Sequence, residues 1–176
     1  MRTKCRAILL LVITMVVSGA SAGLGQELDE HLRMLKRLTG ATWVGHFVNS
    51  SDSELTHVIR WEPILNGNAI RSTKDVAALD FKMETLYFWD WENETISFLR
   101  LTSRGIFSRG TVVLEDDRIT LLGTGVTSKG VSEFKQTFEI RSEGTLQDCF
   151  YRRDNGQWLQ GHLIEYTRQE GNTKRN

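Results

Sequence analysis

The sequence predicts a mainly β protein, an antiparallel up-and-down β-barrel of about nine or ten strands with one N-terminal α-helix. Two observations lead to this fold class. After a leader-like segment, a leucine stripe with helical spacing predicts the helix, and everything after Gly40 consists of strand-length runs separated by short turns. We therefore predict a signal peptide over residues 1–22, a barrel domain over 23–168 and a polar C-terminal tail over 169–176.

The leader has the order of charge and hydropathy that secretory signal peptides show. Three basic residues precede the apolar run 7–17, and an Ala20-x-Ala22 cleavage pattern follows. A membrane-spanning helix needs about 20 apolar residues, so this run is too short to act as an anchor. We expect an exported protein, periplasmic or extracellular, with no membrane span after cleavage.

Composition after removal of the leader indicates one domain with one core. The remaining 154 residues carry 19 basic and 22 acidic side chains, a net charge of −3. This balance argues against a nucleic-acid partner, which requires a basic surface. Cys149 is the only cysteine left after cleavage, and it lies in a strand-like segment. A buried, inert thiol is the favoured interpretation, with a nucleophile as the alternative.

The first predicted element after the leader is a helix over 27–39. Its leucines fall at steps of four, three and three residues, which places them in one apolar stripe. Acidic residues lie at its start and basic residues nearer its end, as the helix dipole favours. Gly40 supplies the stop.

Ten strand-like segments follow, separated by turn sequences such as Asn66-Gly67 and Asn155-Gly156. The connections are too short for parallel crossovers, so neighbouring strands should pair antiparallel in sequence order. Closing such a sheet into a barrel removes its exposed edges. The candidate strands are 42–49, 55–62, 68–76, 83–91, 95–101, 106–115, 118–126, 133–141, 145–152 and 157–167.

An outer-membrane barrel would share the leader and the strand rhythm. Such barrels need an outward apolar band about 25 Å tall that is nearly free of charge. Here charges occupy both faces of several strands, as Lys74 and Asp75 do in one of them. The pattern therefore favours a barrel in water.

Aromatic residues concentrate in the segment 87–91, where a strand would place Tyr87, Trp89 and Trp91 on one face. Such rings either pack the core against Trp43 and Trp61 or line a cavity for a small apolar or amphipathic ligand. The candidate ligand-binding residues are Trp61, Trp89, Trp91 and Tyr166 for apolar contact, with His57 and His162 as polar anchors.

Catalytic and metal-binding motifs are absent from the sequence. No two of the four histidines have the close spacing of a zinc motif. The chain also lacks a nucleophile elbow, a P-loop and a dinucleotide fingerprint. We assign no catalytic residue, metal ligand or cofactor, and the oligomeric state stays open. Two alternatives to a binding protein remain: an enzyme that uses the barrel interior, and a solid barrel that binds a partner protein through its surface.

Three short blocks carry a family resemblance. They are Glu30-His31-x-x-Met34-Leu35-x-x-Leu38-x-Gly40-x-x-Trp43-x-Gly45, then Ile59-Arg60-Trp61 with Leu65-x-Gly67, and finally Ile164-Glu165-Tyr166-Thr167-Arg168. The chain thereby resembles an uncharacterised bacterial family of exported lipocalin-like (calycin) proteins, a domain of unknown function. The resemblance implies a short helix followed by a lipocalin-like barrel, and it transfers no functional residue.

A second resemblance concerns the segment 161–168. It is similar to the closing strand of nitrobindin-type haem barrels, in which a histidine at a comparable place ligates iron. This chain departs from that pattern after His162-Leu163, and those proteins generally lack leaders. The resemblance implies haem, held by His162, as an alternative ligand of the barrel.

Overall fold

Ten antiparallel strands in sequence order build the computed structural model of this protein, which confirms the predicted fold class. Each strand pairs with its neighbours along the chain, and the first pairs with the last. The strands are β1 Thr42–Phe47, β2 His57–Ile64, β3 Ala69–Val76, β4 Phe81–Asp90, β5 Thr95–Thr102, β6 Phe107–Glu115, β7 Arg118–Thr127, β8 Gly130–Ser142, β9 Thr145–Asp154 and β10 Gln157–Gln169. Two short 3₁₀ turns, Leu65–Gly67 and Ala77–Leu79, join β2 to β3 and β3 to β4.

The structure describes residues 27–48, 52, 54–128, 130–142 and 144–169. The predicted signal peptide and nearly all of the predicted tail lie outside these residues, although Gln169 still belongs to β10. Within the described ranges, no helix is long and apolar enough to cross a membrane. Cys149 is buried, as predicted.

The seam between β1 and β10 closes the barrel. Six residue pairs join the two strands, and one of them sets Gly45 opposite Tyr166. The aromatic ring of Tyr166 lies across this glycine, because a β-carbon at residue 45 would stand only 2.6 Å from a ring carbon. Gly45 thus leaves room for a fully buried ring at the seam.

The N-terminal helix lies where it was predicted but is a 3₁₀ helix, Glu30–Leu38, rather than an α-helix. Its fully buried side chains are Leu32, Leu35 and Leu38, which repeat every three residues. A 3₁₀ helix has three residues per turn, so this spacing aligns all three leucines along one line facing the barrel. The leucine spacing and the burial it allows account for the difference in type.

Local signals mark both ends of this helix. The Asp29 carboxylate accepts a hydrogen bond from the backbone N–H of His31 at 2.9 Å, which caps the first turn. Gly40 follows the last turn with a φ of 73°, a left-handed conformation that favours glycine. The predicted stop at Gly40 is therefore present.

Apolar side chains fill the half of the barrel next to the helix, which we call the closed half. The Trp43 indole N–H donates to the carbonyl of Leu38 at 3.1 Å and so joins the helix to β1. The largest buried side chains of the closed half are Trp43, Trp61, Tyr87, Phe98, Phe138 and Tyr166. A hollow space lies towards the opposite end of the barrel interior.

We expect Leu35→Ala to lower the free energy of unfolding by about 2–5 kcal/mol, because it removes a fully buried side chain under the helix. Its matched control is Met34→Ala, since Met34 is the preceding residue and is 40% exposed. We expect the control to cost about 1 kcal/mol or less. Urea denaturation followed by tryptophan fluorescence measures both. Equal losses would show that the helix does not pack as described.

Candidate functional site

A cavity of about 420 Å³ opens at the end of the barrel opposite the 3₁₀ helix, and we call it the cup. Its walls are largely apolar, whereas its floor is a layer of polar side chains in the middle of the barrel. Apolar residues that line it include Val76, Phe81, Met83, Ile106, Phe134 and Phe150. The floor includes His57, Lys74, Arg100, Gln136 and His162, with Asp148 buried beside them.

The alternation of side chains along the strands places these polar groups inside. Lys74 continues the inward row of Ile70 on β3, and Arg100 continues the inward row of Phe98 on β5. Each charged side chain therefore points inward, because it lies on the same face of its strand as apolar residues that pack in the core. Both charged side chains are only 6% exposed.

A chain of hydrogen bonds joins the floor residues. The Lys74 ammonium lies 3.5 Å from Oδ2 of Asp148, whose Oδ1 accepts from the Gln136 amide at 2.6 Å. The Gln136 carbonyl accepts from Nη2 of Arg100 at 2.7 Å, and Nε of Arg100 donates to the Thr85 hydroxyl at 3.1 Å. Carboxylates only accept and guanidinium groups only donate, so only one orientation of the Gln136 amide satisfies both neighbours. The floor is thus a defined, directional network.

Two histidines lie where the floor meets the wall. His57 is buried, contacts the Phe47 ring edge-on at 4.5 Å between ring centroids, and has no hydrogen-bond partner within the described residues for either nitrogen. His162 follows a bulge in β10 and stacks on Phe150 with 5.2 Å between centroids. Its Nε2 lies 4.0 Å from Oδ2 of Asp148. Both predicted polar anchors therefore line the cup.

Burial and neighbouring charges keep these histidines neutral near pH 7. Burial, assisted by the positive charge of the Lys74 ammonium, lowers the pKa of His57 from 6.5 to about 4. Burial also lowers the pKa of His162, although the Asp148 carboxylate opposes this effect. The pKa of Lys74 is lowered by burial too, and Asp148 opposes that change by stabilising the ammonium form. The floor therefore combines neutral imidazoles with an ion pair.

The predicted aromatic contacts lie elsewhere in the barrel. Trp61 stacks on Tyr87 with 4.9 Å between centroids, and like Tyr166 it is buried in the closed half. Trp89 stacks on His31 of the helix at 3.7 Å, whereas Trp91 is past the end of β4 and 76% exposed. None of these four residues lines the cup. They pack the core, cover the helix or face solvent, because the helix occupies their end of the barrel.

Sequence reasoning missed the charged members of the floor, Lys74, Arg100 and Asp148. A signal was present, since each has at least one apolar residue two positions away on the same face of its strand, namely Val76 for Lys74, Phe98 for Arg100, and Leu146 and Phe150 for Asp148. A charge within an inward apolar row is costly unless it is paired or functional, so such positions are candidates for a site.

The lowered pKa of His57 predicts a pH dependence of stability. In the unfolded chain His57 is protonated below about pH 6.5, whereas in the folded protein it is protonated only below about pH 4. The folded state therefore loses stability as the pH falls from about 6.5 to about 4. We expect His57→Gln to remove about 3 kcal/mol of that loss. Urea denaturation at about pH 7 and about pH 4 measures it. The exposed His46, on the outer face of β1, is the matched control, and an equal effect of His46→Gln would contradict the prediction.

Comparisons with known proteins support the fold. No protein-family model matches the chain, and no curated protein matches it. Among solved structures, the crystal structure of Rv2717c from M. tuberculosis superimposes with a TM-score of 0.57 at 13% sequence identity. The match covers 81% of this chain and 99% of that one. At this identity the likeness shows a shared closed barrel and transfers no function.

Proposed function

We propose that this protein binds one small apolar or amphipathic molecule in the cup, as an exported lipocalin-like binding protein. The observation that carries the proposal is the division of the barrel interior into a packed closed half and a hollow half with an apolar wall and a polar floor. Ligand pockets typically have volumes of roughly 300–1,000 Å³, and the cup falls within that range. The leader supports the exported setting.

The geometry of the cup favours binding over catalysis. Neither nitrogen of His57 has a hydrogen-bond partner, and no hydrogen bond joins His162 to a hydroxyl or thiol among the described residues. A nucleophile with its base within hydrogen-bond distance is the usual mark of covalent catalysis. The floor instead presents fixed donors beneath an apolar wall, an arrangement that orients an amphipathic molecule.

Haem is the competing hypothesis for the same cavity, and it depends on His162. The Nε2 atom of this residue is enclosed by protein and faces the Asp148 carboxylate at 4.0 Å, while the ring stacks on Phe150. An iron atom has no approach to Nε2 in this arrangement. The surroundings of His162 thus do not fit axial ligation through that nitrogen, and we derive no step through haem.

Filling the cup should abolish ligand binding. Gly125 lines the cup, and a β-carbon there would make ordinary contacts, 3.5 Å from the Ser108 hydroxyl and 3.8 Å from the Ser132 hydroxyl. We expect Gly125→Phe to weaken binding of the neutral fluorophore Nile red about tenfold or more, because the added ring occupies the cavity. Fluorescence titration measures the change.

Thr124→Phe is the matched control, since Thr124 is the adjacent residue on the outer face of β7. It adds the same ring outside the barrel and should leave Nile red affinity unchanged. Equal weakening by both variants, or unaltered affinity in Gly125→Phe, would show that the probe does not bind in the cup.

Hemin titration separates the competing hypothesis from ours. We expect no Soret shift that depends on His162, because its Nε2 is enclosed next to Asp148. The comparison uses His162→Ala, with the exposed His46→Ala as the control for non-specific hemin binding. A Soret shift lost only in His162→Ala would replace our proposal with haem binding.

A further inference from the structure

The floor of the cup carries more positive than negative charge. Lys74 and Asp148 form a buried ion pair, whereas Arg100 has no carboxylate partner among the described residues. The hydrogen bonds of Arg100 end on the neutral oxygens of Gln136 and Thr85. Burial of a charge without a counter-charge costs free energy. The positive charge of Arg100 is not balanced by the described protein groups around it, so a negatively charged ligand group would offset this cost.

A second polar side chain of the cup, His57, is unpaired among the described residues. Both nitrogens of His57 are buried without a hydrogen-bond partner in the described structure, although the side chain lines the cup. Buried polar atoms in folded proteins are nearly always hydrogen-bonded, to protein, water or ligand. The described part of the protein therefore leaves the hydrogen-bonding capacity of His57 unused next to the cup.

The rim strengthens the positive potential of the cup. Arg104 and Arg152 line it, and Arg104 lies against the ring of Phe81 with 5.3 Å to the ring centroid. The acidic lining residue Glu133 forms a salt bridge with Arg153 at 2.7 Å, which offsets its charge. A concave surface lined by one sign of charge attracts ligands of the opposite sign.

We propose that the ligand of the cup is an amphipathic monoanion whose carboxylate head binds Arg100 on the floor, while its apolar body contacts the aromatic wall. The inference rests on the proposed function and names the ligand class of that site. A guanidinium is planar and its donors match the two oxygens of a carboxylate, which makes it well suited to this head group. One carboxylate also balances the single charge that Asp148 leaves uncompensated.

The phenyl rings above the floor complete the arrangement. The guanidinium carbon of Arg100 lies 5.4 Å from the ring centroid of Phe134, which stacks on Phe150 with 5.6 Å between centroids. Both rings line the cup, so an acyl or other apolar chain leaving a head group at Arg100 would run along them towards the mouth. An ammonium head would instead add a third cation next to Lys74 and Arg100.

Isothermal titration calorimetry with decanoate, decanol and decylammonium tests the head group on the unaltered protein, because the three molecules share one apolar chain. We expect decanoate to bind about tenfold to hundredfold more tightly than decanol, and decylammonium to bind most weakly. Decanol binding as tightly as decanoate, or decylammonium binding most tightly, would overturn the carboxylate proposal and leave the binding function standing. Absence of binding by all three would overturn both.

Arg100→Gln locates the head group. We expect it to remove the preference for decanoate over decanol, measured as the ratio of the two dissociation constants within the same variant. Arg109→Gln, an equal change of charge on the exposed face of the neighbouring strand β6, should preserve the preference. Retention of the preference in Arg100→Gln, or its loss in both variants, would overturn the assignment to Arg100. Should Arg100→Gln fail to fold, the comparison of the three head groups on the unaltered protein still decides the carboxylate proposal.

Discussion

Pairing of the first strand with the last is the constraint on which the rest of the structure depends. It joins β1 to β10 and leaves no sheet edge among the described strands, so alternate side chains in the paired middle of the strands point into the barrel interior. Gly45 makes this closure compatible with the buried ring of Tyr166. The 3₁₀ helix then covers one end of the barrel, and the hollow space opens at the other.

Closure changes the energetics of the inward charges. On the surface Lys74 and Asp148 would be hydrated and their attraction would contribute little. Inside the barrel each loses its hydration, so the pair and the amide bridge to Arg100 become necessary to hold the floor together. Burial of the Arg100 guanidinium costs desolvation free energy. The same exclusion of water strengthens its attraction to a negatively charged group of a ligand, which makes the site selective.

The strands of the barrel wall could be predicted from the sequence, whereas the arrangement of side chains in the interior could be predicted only in part. Alternating side chains and turn residues predicted all ten strands within a few residues, and His57 and His162, the predicted polar anchors, line the cup. The tryptophans were predicted as possible cavity residues, but Trp61 packs the closed half and Trp91 is exposed. The side-chain pattern shows which residues are large and apolar. It does not show which end of the barrel the helix will fill.

The sequence by itself determined the antiparallel barrel, the position of the helix and the approximate bounds of each strand, because these follow from short-range spacing, turn chemistry and leucine repeats. Only the tertiary structure decided which half stays hollow and which inward charges meet. Lys74 and Asp148 are 74 residues apart, and Arg100 and Gln136 are 36 apart. Which side chains meet in such pairs depends on the register of every pair of neighbouring strands around the barrel, including the β1–β10 pair. No local stretch of sequence determines this combined register.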